Sequence, residues 1–193
     1  MEKSEFFGIE KDKYVPILKD EGIAFLFDLV KKEMPKKILE IGAYIGYSAS
    51  VMLSACEGSV ITVEKLPENA VLAKQNLKEF GNRAQVLNED AYSAILKLEE
   101  KGEKFDFIFL DGPKGQYFKY LPHLKNLLNS GGILMADNIY FHGLVKKEGP
   151  IIHKHRTIVV NLRKFISSIL NDKDFTTTLY NLGDGISVSK RIK

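Results

Sequence analysis

Two aspartates, an asparagine and a lysine stand where carboxylate–metal chemistry would need them. The apolar run Phe105-Asp106-Phe107-Ile108-Phe109-Leu110 ends in Asp111, and Gly132-Ile133-Leu134-Met135-Ala136 ends in Asp137-Asn138. If both runs are strands of one parallel sheet, their carboxyl ends face the same ligand crevice. Two carboxylates and an amide oxygen there form a hard-oxygen half-shell for Mg²⁺, Mn²⁺ or Ca²⁺, with positions left for water or substrate oxygens. No Cys or His cluster accompanies them, so the pattern does not suggest zinc. Asp137-Asn138 is equally a common turn pair, and Asp111 on its own would serve to seat a cofactor. Lys114, three residues past Asp111, is either an exposed loop lysine or a candidate base. Beside a divalent ion in a dry pocket its pKa would be pushed down, leaving an amine able to take a hydroxyl proton.

A second stretch says what such a site would work with. In Lys37-Ile38-Leu39-Glu40-Ile41-Gly42-Ala43-Tyr44-Ile45-Gly46-Tyr47-Ser48 an apolar strand opens into a glycine loop and then a helix. Gly42 and Gly46 let the backbone turn tightly and approach a ligand, at which the helix aims its free N–H groups. A dinucleotide fingerprint needs G-x-G-x-x-G, and its central glycine is missing, which disfavours an NAD enzyme. The E-x-G-x-x-x-G form instead looks like the first motif of class I S-adenosylmethionine (AdoMet) methyltransferases. The next apolar run, Ser59–Val63, ends in Glu64, where an acidic side chain can take ribose hydroxyls. Asp90-Ala91 follows the third run. Asp90 could accept from an adenine amino group, or simply cap the next helix.

These residues need rigid elements to hold them, and the hydropathy pattern supplies the elements. Strands are predicted at 37–41, 59–64, 84–89, 105–110 and 132–136, with helices at 20–32, 46–56, 67–80, 91–100 and 115–129 between and before them. A loop at 143–155, a helix at 156–170 and a hairpin of strands 175–180 and 186–189 around Gly183-Asp184-Gly185 complete the chain. Alternating short strands and amphipathic helices predict an α/β, doubly wound, mostly parallel seven-stranded sheet, Rossmann-like, with a C-terminal antiparallel hairpin. The 193 residues suit one domain, with residues 1–35 as a helical lead-in that includes Tyr14-Val15-Pro16-Ile17.

Composition narrows the partners. With 28 Lys and Arg against 25 Asp and Glu, the formal charge of +3 is too small to argue for a polyanion unless it is clustered. The one cluster is Lys154-His155-Arg156, with His153, Lys146, Lys147, Arg163 and Lys164 nearby, which is either a solvated face or a phosphate contact. A single cysteine, Cys56, reads as a core residue in a reducing cytoplasm, and no apolar run approaches membrane-spanning length. No serine nucleophile elbow, Cys–His pair or P-loop appears.

With these pieces in place, the chain resembles the cation-dependent O-methyltransferases related to catechol and caffeoyl-CoA enzymes. Within them it is most similar to the bacterial tRNA 5-hydroxyuridine methyltransferase group. The likeness runs from about Val15 to Arg191 and rests on Val15-Pro16-Ile17, the loop Ile38–Ser48, Asp111-x-x-Lys114-Gly115-Gln116-Tyr117, Asp137-Asn138, Lys154-His155-Arg156-Thr157 and Gly183-Asp184-Gly185-Ile186. It implies metal ligands at Asp111, Asp137 and Asn138 and catalytic roles for Lys114 and Asp111. AdoMet contacts are expected at Gly42, Tyr44, Gly46, Ser48, Glu64, Asp90, Ala91 and Asp111, and acceptor contacts at Tyr117, Lys154, His155 and Arg156. It further implies a cytoplasmic homodimer acting on tRNA or on a small molecule with vicinal oxygens. Two positions depart from the family pattern: Glu89 stands where a glycine is usual, and Gly112-Pro113 where Ala-Ala or Ala-Ser is usual. They bear on the adenine loop and on the poise of Lys114.

Overall fold

The computed structural model describes residues 20–193, so the lead-in segment Tyr14–Ile17 lies outside the described residues. Short runs rich in Val, Ile and Phe form strands because branched and aromatic side chains pack well on a pleated surface. The strands are β1 (Lys37–Ile41), β2 (Ser59–Glu64), β3 (Ala84–Asn88), β4 (Phe105–Leu110), β5 (Leu128–Ala136), β6 (Phe175–Tyr180) and β7 (Ile186–Arg191). They form one seven-stranded sheet in the order β3-β2-β1-β4-β5-β7-β6. The first five are parallel, and β7 runs antiparallel between β5 and β6, as the hairpin reading expected.

The helices are α1 (Asp20–Glu33), α2 (Tyr47–Ala55), α3 (Pro67–Asn76), α4 (Ala91–Glu100), α5 (Tyr117–Leu127) and α6 (His153–Asn171). Alternation along β4 shows how they cover the sheet. Phe107 and Phe109 pack with Leu26 and Val30 of α1 and Met52 and Leu53 of α2, whereas Ile108 and Leu110 join Ile95 of α4, Leu124 of α5 and Phe165 of α6. Cys56 is buried in the first of these cores.

Several boundaries differ from the sequence reading, among them the strand expected at 132–136, which starts at Leu128. The helix expected at 67–80 stops at Asn76 and gives way to a 3₁₀ segment, Lys78–Arg83, which Gly81 interrupts with φ 56°, ψ −129°. The helix expected at 115–129 opens with a 3₁₀ turn, Lys114–Gln116, and ends at Leu127, since Leu128 is already paired with Phe105. The predicted loop 143–155 yields its last three residues to α6, which starts at His153 without a capping side chain. That missing cap is why the sequence did not mark the start.

Register positions the site. Ile41 pairs with Val63 and Leu110, and Leu110 pairs with Ala136. The ladder runs one step past the strands: Gly42 N–H donates to the Val63 carbonyl (3.0 Å), Asp111 N–H to Ile41 (3.0 Å) and Asp137 N–H to Leu110 (3.1 Å). Residues 42, 111 and 137 therefore sit side by side at the carboxyl edge. The chain after Asp137 is hung from the β6–β7 turn, with Ile139 N–H donating to Gly185 (3.0 Å) and Tyr140 N–H to Asp184 (2.9 Å). Gly185 holds φ 88°, and a Cβ there would drive into the Tyr140 ring. Gly185→Ala should therefore lower unfolding free energy by roughly 1–3 kcal/mol, read from urea midpoints. An unchanged midpoint would show that the loop is not held by this packing.

Candidate active site

The carboxyl edge opens into a cavity of about 1070 Å³. Ligand pockets usually measure about 300–1,000 Å³, so this cavity lies at the top of that range. Gly42, Tyr44, Glu64, Asp90, Ala91, Asp111, Lys114, Asp137 and Asn138 all reach its lining, which brings together most of the residues expected from sequence.

The glycine loop is shaped by its neighbours. Gly42, at φ 105°, lies so close to the main chain of Asp111 that any Cβ would collide with the Asp111 carbonyl. Tyr44 is held at φ 47°, a left-handed conformation that costs a non-glycine residue about 1 kcal/mol. Its N–H donates to Glu64 Oε2 (2.8 Å), while Glu64 Oε1 accepts from Leu66 N–H (2.8 Å). Glu64 thus shapes the loop as well as facing the cavity. Asp90 caps α4 through Tyr92 N–H (3.0 Å) and pairs with Lys65 at 3.3 Å. Burial acts to raise its pKa, but Lys65 and the N–H groups of Ser93 and Tyr92 outweigh it and hold Asp90 below the usual carboxylate range. Glu89, the first departure from the family pattern, pairs with Lys97 at 2.7 Å. At the second departure a Cβ on Gly112 would come within 3.1 Å of Ile41 Cγ2.

Three expected cofactor or acceptor contacts do other work. Gly46 does not reach the cavity; it takes φ 87° to start α2, and a Cβ there would come within 3.1 Å of the Leu77 side chain. Ser48 donates its hydroxyl to the buried carboxylate of Glu40, which also accepts from Thr62 Oγ1. Tyr117 is fully buried beneath the cavity floor, its hydroxyl on main-chain carbonyls. Spacing cannot tell which neighbour will use a polar group, and each of these is used from behind. Lys154, His155 and Arg156 form the first turn of α6, outside the cavity lining. His155 lies nearest, with its ring edge-on to Phe141 at 5.4 Å.

At the centre, burial and the charge of Asp111 push the Asp137 carboxyl up to about 7, against a hydrogen bond from Asn138 N–H. Lys114 is ion-paired with Asp111. Burial alone would drain its charge, but Tyr117, Asp111 and Asp137 outweigh burial and hold it above the ordinary lysine range. These protein groups by themselves keep Lys114 an ammonium, whereas the neutral amine expected from sequence belongs to the site with a divalent ion beside it. Among the described residues no group of three or more His, Cys, Asp or Glu is arranged to hold a metal. The donors here are two carboxylates and the Asn138 amide. Repelling carboxylates in a dry site, with oxygen donors alone, fit a hard divalent cation.

Sequence reasoning missed one end of the cavity. Phe141 and His142 reach the lining in consecutive left-handed conformations (φ 45° and 56°), and His142 N–H is held by Asp184 Oδ2 at 2.7 Å. No glycine or turn signature announces such a pair. At the opposite end Lys119 and Tyr92 also line the cavity, the ammonium 3.5 Å from the ring centroid.

Residues 10–192 match the O-methyltransferase family. A caffeoyl-CoA O-methyltransferase of Medicago sativa is 30% identical over 186 residues, covering 90% of this chain and 74% of the relative. A flavonoid 3′,5′-methyltransferase of Vitis vinifera is 28% identical, covering 95% of this chain and 83% of the relative. The fold superposes with a TM-score of 0.84, at 24% identity, on an O-methyltransferase of Bacillus cereus solved with S-adenosylhomocysteine (SAH), covering 92% and 84% of the two chains. The chain thus belongs to the O-methyltransferase family of AdoMet-dependent enzymes. No helix among the described residues is long and apolar enough to cross a membrane.

Glu40 carries a pH dependence. Desolvation raises its carboxyl from 4.5 to about 7 despite the Ser48 and Thr62 hydroxyls. The folded chain then holds an extra proton between those values. Its stabilisation is complete below pH 4.5 and is lost as pH rises through about 7, by roughly 3 kcal/mol. Glu40→Gln should flatten that slope in urea midpoints measured from about pH 5 to 8. An unchanged slope would assign it to another group.

Proposed function

We propose that the enzyme methylates one of two vicinal oxygens on a small planar acceptor of catechol or phenylpropanoid type, with a divalent cation. The observation that carries this is one cavity with a glycine-loop cofactor end, an oxygen-donor set at its centre and an aromatic acceptor end at Phe141. The caffeoyl-CoA and flavonoid relatives support the acceptor class.

Gly42, Tyr44 and Glu64 would hold AdoMet at the edges of β1 and β2, where it supplies the methyl group. Asp111, Asp137 and Asn138 would hold Mg²⁺ or Mn²⁺, which when bound fixes the two acceptor oxygens and lowers the pKa of the hydroxyl. The hydroxyl proton leaves through the open cavity to solvent, and the Lys114 ammonium stabilises the negative charge left on the acceptor oxygen. That oxygen forms a bond to the methyl carbon as the carbon–sulfur bond breaks, and the electron pair returns to sulfur, leaving SAH. Most of the acceleration comes from in-line positioning. Phe141 supplies a face for the acceptor ring.

One observation favours a second acceptor, 5-hydroxyuridine in tRNA, whose 5-hydroxyl and 4-carbonyl are also vicinal. From Gly149 to Asn171 the chain carries no acidic residue, and α6 presents Lys154 and Arg156 beside the acceptor end. Neither these nor Lys147 pairs with a carboxylate among the described residues. Arg163 and Lys146 drop out of the cluster. Arg163 donates to the Val145 and Lys147 carbonyls (2.9 and 2.6 Å), and Lys146 to Asn181 (2.7 Å).

EDTA should abolish turnover and Mg²⁺ or Mn²⁺ restore it, while Asp137→Ala should cut kcat at least about a hundredfold with SAH affinity kept. Full turnover in excess EDTA would contradict the metal reading. The acceptor is decided by assaying Lys154→Ala and Arg156→Ala on a free catechol and on hypomodified tRNA at two salt concentrations. Turnover of the catechol by all three proteins, with no activity on tRNA, supports the small-molecule reading. A tRNA activity that each substitution weakens, with the salt slope falling by about one per lost contact, supports the second.

A further inference from the structure

At the strand edge the hydroxyl of Tyr117 lies buried, outside the cavity lining. Tyr117, the first residue of α5, has no solvent exposure, and its ring is fixed edge-on against Phe165 at 5.5 Å. Its Oη lies 3.0 Å from the Leu110 carbonyl and 3.3 Å from the Asp137 carbonyl, so one proton is shared between the two. The Leu110 carbonyl also accepts the last ladder bond, from Asp137 N–H at 3.1 Å. The hydroxyl therefore sits on the seam between the ends of β4 and β5.

Those two carbonyls belong to particular peptide units. The Leu110 carbonyl is part of the plane that leads into Asp111, and the Asp137 carbonyl is part of the plane that joins Asp137 to Asn138. A peptide unit is rigid, so fixing its carbonyl fixes where the next Cα and its side chain start. All three oxygen-donor residues flank these two planes. Asn138 follows with φ 53°, a left-handed conformation that the chain must be made to keep.

We infer that Tyr117 is a positioning residue for the divalent cation: its hydroxyl clamps the 110–111 and 137–138 peptide planes and sets Asp111, Asp137 and Asn138 at ligand spacing. The inference rests on the metal reading above. It accounts for a buried polar tyrosine at the start of α5, where phenylalanine would fill the same space. It also separates Tyr117 from Glu64 and the glycine loop, which serve the cofactor from the other side of Gly42.

The test is Tyr117→Phe, which keeps the ring and removes only the hydroxyl. Mn²⁺ binding to the wild-type enzyme and the variant is measured by electron paramagnetic resonance and isothermal titration, with SAH affinity and urea midpoint measured alongside. Loss of such a supporting hydrogen bond should weaken Mn²⁺ by about tenfold or more, with SAH affinity held within about twofold. Phe165→Leu, which loosens the same packing and spares the hydroxyl, should lower the urea midpoint and keep Mn²⁺ affinity. If wild type binds Mn²⁺ and Tyr117→Phe binds it equally well, the positioning role is overturned and the metal reading stands. Parallel loss of SAH and Mn²⁺ in Tyr117→Phe, or loss of Mn²⁺ in Phe165→Leu, would reduce Tyr117 to core packing and overturn it. A wild type that takes up no Mn²⁺ at millimolar concentration overturns both.

Discussion

The close passage of Gly42 against the main chain of Asp111 is the constraint on which the rest of the structure depends. It exists because β1 and β4 are paired in a register that carries one hydrogen bond beyond each strand, bringing residues 42 and 111 together. No residue with a Cβ could stand at 42 without pushing the strand ends apart. The same register, continued from β4 to β5, places Asp137 next to Asp111. Glycine loop and oxygen-donor set are therefore two outcomes of one parallel alignment.

Around this junction the chain stabilises what it must strain. Tyr44, Asn138, Phe141 and His142 all hold left-handed backbone, at φ 45–56°. Glu64 anchors the first of them, Asp184 anchors His142, and the Tyr117 hydroxyl grips the plane that leads into Asn138. These acceptors and donors come from β2, from the β6–β7 turn and from α5, so three separate parts of the fold converge on the loops. Electrostatics add a second cost. Asp111 and Asp137 repel one another in a buried site, and the Lys114 ammonium offsets part of that repulsion. A cation among these oxygens would complete the balance, and such a site has reason to seek one.

Much of this was legible in the residues themselves. Strand ends are announced by apolar runs that stop at a charged residue, so Asp111, Asp137 and Glu64 could be placed at the carboxyl edge without coordinates. Gly42 was legible for the same reason. What escaped was the direction in which a polar group is used. Ser48 serves Glu40 and Tyr117 serves two carbonyls, and nothing in their spacing separates these roles from ligand contacts. Phe141 and His142 escaped because non-glycine residues in left-handed backbone leave no sequence mark. The start of α6 escaped because Ile152 is no cap, and with it went the knowledge that Lys154 and Arg156 are held on a rigid first turn. The charge on Lys114 depends on Asp111, Asp137 and burial together, a sum that only a three-dimensional arrangement provides.

Under the proposed function, cofactor and divalent cation meet at the edge of β1, β4 and β5, and anomalous diffraction from crystals grown with SAH and Mn²⁺ locates both. An anomalous peak is expected about 2.1–2.3 Å from carboxylate oxygens of Asp111 and Asp137 and the amide oxygen of Asn138, with SAH on Gly42 and Glu64 and its sulfur facing the metal. A peak at other residues, or SAH bound in that pose with no manganese at the three donors, would contradict it.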